Sequence, residues 1–146
     1  MKLYTIGFTK KPAKQFFGLL EANGVRRLID IRLHPHGQLS GFSKQDDLAF
    51  FLDRLIGCDY RYVPTLAPTA DILTDYRKDH QWDRYVQRFE ALMDERNVPS
   101  ALEKAVFTDV PSCLLCSEDT PKHCHRRLVA ERLTKHWREV EIVHLV

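Results

Sequence analysis

Short apolar runs alternate with longer segments of helical periodicity along this chain, and this alternation restricts its fold more than any other feature. Residues 112–116 form an apolar run of strand length, typical of a strand buried on both faces of a sheet, and residues 25–31, with apolar Leu28, Ile29 and Ile31, predict a second strand. Between residues 82 and 93, apolar side chains recur at intervals of three and four, which predicts a packed amphipathic helix. This alternation predicts an α/β fold, a three-layer sandwich with a mostly parallel sheet of four or five strands and helices on both faces.

The chain has 146 residues, of which 44% are hydrophobic. That is enough for one substantial core and too little for two ordinary domains, so we expect a single domain over residues 1–146. Ser43 and Asp46 resemble a capping box, which predicts the start of a helix, whereas residues 66–80 have no regular pattern and are expected to be irregular. Further strands are expected at residues 3–6, 59–63 and 141–146.

The charge balance is mild, because 22 basic and 20 acidic residues give a net charge of +2. A dedicated nucleic-acid-binding domain usually has a larger basic excess, so charge alone indicates no partner. No apolar run has the length of a membrane span, and the chain begins with a strand-like run instead of a signal peptide. We expect a cytoplasmic protein with no membrane contact and with reduced cysteines, a disulfide between Cys116 and Cys124 being the alternative.

Reactive side chains follow two of the predicted strands at the points where these strands end. They are Asp30, Arg32, His34 and His36 after the second strand, and Cys116 and Glu118 after the apolar run at 112–116. Ligands of open α/β sheets bind beyond the carboxyl ends of the strands. If both strands are central and parallel, Asp30, Arg32, Glu118 and the nearby Arg126 should line one cleft.

Cys124, His125 and Arg126 begin the last predicted helix. Unpaired N–H groups and the helix dipole at this position favour a bound anion and a thiolate. We therefore expect a phosphate, sulfate or carboxylate here, held by the amides and by Arg126 or Arg32. The candidate catalytic groups, with thiols as nucleophiles and carboxylates as general acids or bases, are Cys116, Cys124, His125, Glu118 and Asp30.

Several of these candidates also have a structural interpretation. His125 can pack beneath the last helix, and Glu118 can neutralise an arginine. Asp30 can hold Arg32 instead of taking part in catalysis.

The spacing Cys113-x-x-Cys116, followed by Cys124 and His125, raises the question of zinc. Cys113 and Cys116 point to opposite faces of an extended strand, so they cannot bind one ion unless the strand ends before Cys116. We predict no metal and no cofactor, with Cys113 in the core.

The segment LCSEDTPKHCHR at residues 115–126 and the LAPT motif at residues 66–69 are the most specific motifs of the chain. With them, the chain resembles the domain of unknown function 488 (DUF488) family. Supporting matches are Thr5-Ile6-Gly7, Asp30-Ile31-Arg32 with Pro35, Gly41-Phe42, Tyr62 and Tyr85. The chain departs from the family at Phe8 and Thr9, where histidine and serine are frequent.

The resemblance implies a compact α/β domain with one shared polar site, but no particular reaction. The residues it groups are Asp30, Arg32, Cys116, Glu118, Cys124, His125 and Arg126. We assign substrate or anion binding to Arg32, Arg126, His34 and Tyr62.

Three functions remain open. The first is a small enzyme, a hydrolase or transferase, that acts on a phosphate-bearing substrate such as a nucleotide or nucleic acid. The second is sulfur transfer through a thiolate at Cys116 or Cys124, since Asp30-Ile31-Arg32 and the strand that ends at Cys116 resemble rhodanese-type domains. That likeness ends at residues 117–122, which lack the glycine usual in rhodanese loops. The third is a non-catalytic binding module with a structural Cys/His cluster, and the oligomeric state is not predicted.

Overall fold

The computed structural model of the chain describes residues 1–35 and 38–146, with the side chains of residues 38–40 left out. His36 therefore lies outside the described residues. Two short 3-10 segments, Gln38–Ser43 and Pro64–Leu66, connect the regular elements. The strands are β1 (Lys2–Gly7), β2 (Arg27–Asp30), β3 (Asp59–Tyr62), β4 (Ser112–Cys116) and β5 (Glu141–Leu145). The helices are α1 (Ala13–Ala22), α2 (Gln45–Ile56), α3 (Ala70–Asp79), α4 (Trp82–Glu95), α5 (Lys104–Thr108) and α6 (His125–His136).

The five strands form one parallel sheet in the order β3-β2-β4-β1-β5. Strand β4 lies at its centre, where Leu114 pairs with Thr5 of β1 and with Ile29 of β2. The predicted α/β sandwich with a parallel sheet is thus confirmed. None of the helices in the described ranges is both long and apolar enough to span a membrane.

Side chains of the central strand alternate between two cores. Cys113 and Leu115 pack with residues of α1 and α2 on one face of the sheet. Leu114 packs with α4 and α6 on the other face, as the two-residue period of a strand requires. Cys113 is fully buried, which confirms its predicted core position. By the same alternation, Cys116 at the end of β4 belongs to the face of α4 and α6.

Two local predictions were wrong. Residues 70–79 form helix α3 where irregular structure was expected; Ile72 is its one buried residue, so it has no apolar stripe to reveal it. Its acidic residues Asp71 and Asp75 bind Arg88 of α4 instead. Helix α2 has Lys44 at its N-cap, not Ser43, because the preceding 3-10 segment continues through Ser43.

The chain leaves neighbouring strands β2 and β4 toward opposite faces of the sheet. After β2 it continues into α2, which packs on the α1 side, and after β4 into α6 on the other side. Such a divergence opens a crevice beyond the carboxyl ends of the two strands. The structure places a cleft at this point.

Candidate functional site

The cleft beyond β2 and β4 has a volume of about 490 Å³, the size of a small-molecule site. Its wall on the side of α3 and α4 includes the aromatic rings of Tyr76 and Tyr85, whose centroids are 5.1 Å apart. Glu118 is the one carboxylate among the lining residues that the structure describes. The basic side chains and imidazoles that line the cleft are Arg32, Arg77, Lys122, His34, His80, His123 and His125. The cleft is therefore suited to an anionic ligand.

Cys116 and His125 form a close pair beside this cleft. Sγ of Cys116 lies 3.2 Å from Nδ1 of His125, and Nε2 of the same ring lies 2.8 Å from the carbonyl oxygen of Ile31. A carbonyl only accepts, so Nε2 carries a proton and donates to Ile31. One proton is then held between Sγ and Nδ1: the thiol donates to the neutral ring, or the imidazolium donates to the thiolate. The arrangement is that of a nucleophile, its base and the group that orients the base.

The two cysteines of the site differ in acidity. Burial raises the pKa of Cys116, but a hydrogen bond from Cys124, the amides of Ser117 and Glu118, and the charge of Arg126 outweigh it, so the pKa of Cys116 lies below that of an ordinary thiol. Burial and the hydrogen bond to Cys116 raise the pKa of Cys124 well above that value. Of the two, Cys116 is thus the cysteine that loses its proton more readily, and Cys124 is the donor. All four cysteines of the chain are free and buried.

Arg32 lies between Asp30 and the cleft. Its Nε and Nη2 donate to the two carboxylate oxygens of Asp30 at 2.9 and 2.7 Å, and its backbone N–H donates to Oδ1 at 3.1 Å. Tyr60 adds a hydrogen bond to the same carboxylate at 2.5 Å. The Arg32 residue is only 3% exposed, yet its third nitrogen, Nη1, has no hydrogen-bond partner in the part of the chain that the structure describes. A buried, unpaired guanidinium nitrogen beside a cleft favours an anion as its partner.

Arg126 is fully buried under the loop that follows β4. Its Nη1 donates to the carbonyl of Glu118 at 2.5 Å, its Nη2 to the carbonyl of Asp119 at 3.3 Å, and its Nε to the hydroxyl of Thr5 at 3.3 Å. Arg126 is not among the residues that line the cleft. Its nitrogens bind protein acceptors, which differs from the anion contact expected from the sequence.

Gly7 at the end of β1 lets this loop lie against the sheet. A methyl group at this position would come within 1.5 Å of the carbonyl oxygen of Glu118. We predict that Gly7→Ala lowers the free energy of unfolding by about 1–3 kcal/mol through overpacking. Gly18→Ala is the control: it meets open space on helix α1 and should stabilise by about 0.4–1 kcal/mol. Urea unfolding of both variants tests this, and equal midpoints for Gly7→Ala and wild type would contradict it.

The structure brings most of the residues named from the sequence together, but not all into the cleft. Arg32, His34, Cys116, Glu118, Cys124 and His125 line it. Asp30 and Arg126 are buried behind it, where they hold Arg32 and the loop. The hydroxyl of Tyr62 lies 3.5 Å from the carbonyl of Leu33 and outside the lining.

Several lining residues were missed from the sequence. The spacing of Tyr85 fits the buried face of α4 and predicts a core residue, and Tyr76 and Arg77 lie on the helix that was not predicted. Lys122 is on the named loop but was not singled out. The LAPT motif was the one sequence signal for this side of the cleft, because its Pro68 is a lining residue.

Cys116, Cys124 and His125 are also close enough to share a metal ion. One ligand atom from each lies within 4.8 Å of the others. The hydrogen bond from Nε2 of His125 to Ile31 is of the kind that orients metal-bound imidazoles. The expected absence of a metal stays a prediction.

The fold and the site define a parallel α/β domain with a cysteine–histidine centre in a basic cleft. The sequence model of the family described as "Domain of unknown function DUF488" matches residues 12–133, and the chain belongs to this family. No curated protein and no solved structure matches the chain significantly. The family assignment adds no reaction to what the geometry shows.

Proposed function

We propose that the protein is a small enzyme in which the thiolate of Cys116 attacks a phosphate-bearing substrate held in the basic cleft. The observation that carries this proposal is the contact of 3.2 Å between Sγ of Cys116 and Nδ1 of His125. Cys116 and His125 line the same cleft as Arg32, whose Nη1 is unpaired in the part of the chain that the structure describes. The proposal unites the phosphate-substrate and thiolate hypotheses, and a cytoplasmic, reducing location fits the four free thiols.

The reaction begins with transfer of the thiol proton of Cys116 to Nδ1 of His125. The thiolate then forms a bond to the electrophilic atom of the substrate, and the bond from that atom to the leaving group breaks. The imidazolium returns its proton to the leaving group. Water or another acceptor attacks the covalent intermediate, His125 takes its proton, and the thiolate is regenerated.

The lining of the cleft supports an anionic substrate of nucleotide size. Arg32 is the cation buried deepest, and Arg77 and Lys122 add positive charge. The partly exposed ring of Tyr76 offers an apolar surface for a planar group. Glu118 is exposed in the cleft and can exchange protons with a bound hydroxyl or water.

Sulfur transfer uses the same nucleophile with another electrophile. The thiolate of Cys116 would take the outer sulfur of thiosulfate and release sulfite, which leaves a persulfide on Cys116. Mass spectrometry after incubation with thiosulfate distinguishes this reaction, because it adds one sulfur atom to the peptide that contains Cys116.

We predict that phosphate and nucleoside monophosphates protect Cys116 from iodoacetamide. A phosphate bound at Arg32 blocks the approach of the reagent to Sγ, so the rate of modification should fall as the ligand concentration rises. Sodium chloride at the same ionic strength is the control and should protect much less. Equal rates with phosphate, nucleotide and chloride would contradict a phosphate site, and persulfide formation without phosphate protection would favour sulfur transfer.

A metal centre is the second candidate function, supported by the three ligand atoms of Cys116, Cys124 and His125. With three protein ligands, a zinc ion would have a fourth position for water or substrate. Elemental analysis of purified protein decides this point. One zinc per chain, lost in Cys124→Ser, would favour the metal centre over a free thiolate.

A further inference from the structure

The carbonyl groups of the loop after β4 are held on the side away from the cleft. The carbonyl of Ser117 accepts hydrogen bonds from the N–H and the hydroxyl of Thr9, at 3.0 and 2.5 Å. The next two carbonyls bind Arg126, and that of Asp119 also accepts from Nζ of Lys11 at 3.2 Å. Three successive peptide units are thus fixed through their oxygen atoms.

Peptide geometry then sets the direction of the amides. In a trans peptide the C=O and N–H of one unit point in opposite directions. Because the carbonyls of residues 117–119 face Thr9 and Arg126, the amides of residues 118–120 face the other way. Ser117, Glu118 and Thr120 line the cleft, whereas Thr9 and Arg126 do not, so the amides are directed to the side of the cleft. The amide of Glu118 already contributes a hydrogen bond to Cys116.

The remaining amides are free to bind a ligand. Within residues 1–35 and 38–146, no backbone acceptor pairs with the N–H groups of Asp119 and Thr120. Successive N–H groups that converge in this way bind anions. Arg32, whose Nη1 is buried and unpaired, lines the same cleft.

We propose that the amides of Asp119 and Thr120 and the guanidinium of Arg32 form an oxyanion subsite beside Cys116, and that Arg126 is the residue that positions it. The ligand is a phosphate or a carboxylate oxyanion of the substrate. The inference rests on the proposed function and adds where the charged group of the substrate binds.

Arg126 acts through the loop and not by contact with the ligand. Its guanidinium bridges the carbonyls of Glu118 and Asp119 from behind. The hydroxyl of Thr5 accepts from Nε of Arg126 and shares a second hydrogen bond, of 2.6 Å, with Nδ1 of His144. These contacts fix the orientation of a fully buried side chain.

Two alkylating reagents that differ in charge test the subsite. The rate constants for modification of Cys116 by iodoacetate, which carries a carboxylate, and by neutral iodoacetamide are measured at one pH by peptide mass spectrometry. Their ratio reports how well the site accepts an anion and is independent of the amount of thiolate. In the wild type this ratio is expected to exceed that of free cysteine.

Arg126→Lys keeps the positive charge but loses the two-pronged bridge between carbonyls. The iodoacetate-to-iodoacetamide ratio is expected to fall by about tenfold, the effect of one lost hydrogen bond to a charged group. Arg132→Lys is the matched control, because Arg132 on the same helix also binds a carbonyl, that of Val98, and its ratio should equal that of the wild type. An unchanged ratio in a folded Arg126→Lys protein would overturn the inference.

If Arg126→Lys does not fold, Thr9→Val provides the same test. This change removes only the hydroxyl donor to Ser117, and the ratio is expected to fall by about threefold; an unchanged ratio overturns the inference. A wild-type Cys116 that reacts with neither reagent would contradict the proposed function itself. If Cys116 is reactive but the iodoacetate-to-iodoacetamide ratio does not change when Arg126 or Thr9 is replaced, only the oxyanion subsite is overturned.

Discussion

Replacement of His125 by asparagine is expected to lower the rate at which iodoacetamide modifies Cys116 at neutral pH by about a hundredfold, within the range for loss of a general base. Asparagine keeps a polar group near Ile31 but cannot take the proton of the thiol. His123→Asn is the matched control, because His123 lines the same cleft but packs on Trp82. Its rate should stay within about twofold of the wild type.

Both variants are compared by peptide mass spectrometry at equal reagent concentration. Their folding is checked by circular dichroism, since His125 is buried. If folded His125→Asn reacts as fast as the wild type, His125 is not the base for Cys116. A parallel loss in His123→Asn would point to a general effect of the cleft charge.

The buried ion pair beneath the cleft should dominate the stability of this edge of the sheet. Asp30→Asn is expected to lower the free energy of unfolding by about 3–5 kcal/mol, because it leaves the buried charge of Arg32 without its carboxylate. Both side chains are at most 3% exposed. Asp75→Asn is the control, since the pair of Asp75 with Arg88 is 46% and 31% exposed and should contribute at most about 1 kcal/mol.

Urea unfolding measures both effects. If Asp30→Asn and Asp75→Asn lower the free energy of unfolding equally, the buried charge of Arg32 does not depend on the carboxylate of Asp30. Asp30→Asn should also weaken the protection of Cys116 by phosphate, because Arg32 is then no longer held in place beside the cleft.

The sheet was predictable because β4 is an apolar run and short apolar stretches mark the other strands. The run from Ser112 to Cys116 predicts a buried central strand. The two-residue period of a strand then places Cys113 and Cys116 on opposite faces of the sheet. Helix α3 was not predictable by the same logic, since it binds α4 through exposed ion pairs and one buried residue. The cleft residues on this helix, Leu73, Tyr76 and Arg77, were therefore not predicted either.

The residue types at the site were predictable from the sequence, but the directions of their side chains were not. Asp30 and Arg32 are two positions apart beyond a strand end, so their pairing was among the alternatives foreseen. The contact of Cys116 with His125 depends on how α6 returns over the sheet, which no spacing reveals. For the same reason, the sequence placed Arg126 near the loop. It did not reveal that the guanidinium binds the carbonyls of the loop and does not line the cleft.

The central claim, that Cys116 is the nucleophile of this protein, is tested most directly by the pH dependence of alkylation at all four cysteines in one sample. Iodoacetamide modification followed by peptide mass spectrometry gives a titration midpoint for each. Burial raises the pKa of Cys58 to about 11, and it raises the pKa values of Cys113 and Cys124 well above the ordinary range. Cys116 alone should react rapidly at neutral pH, with a midpoint below that of an ordinary thiol. A Cys116 that stays unreactive, or that titrates together with Cys58, would contradict the account.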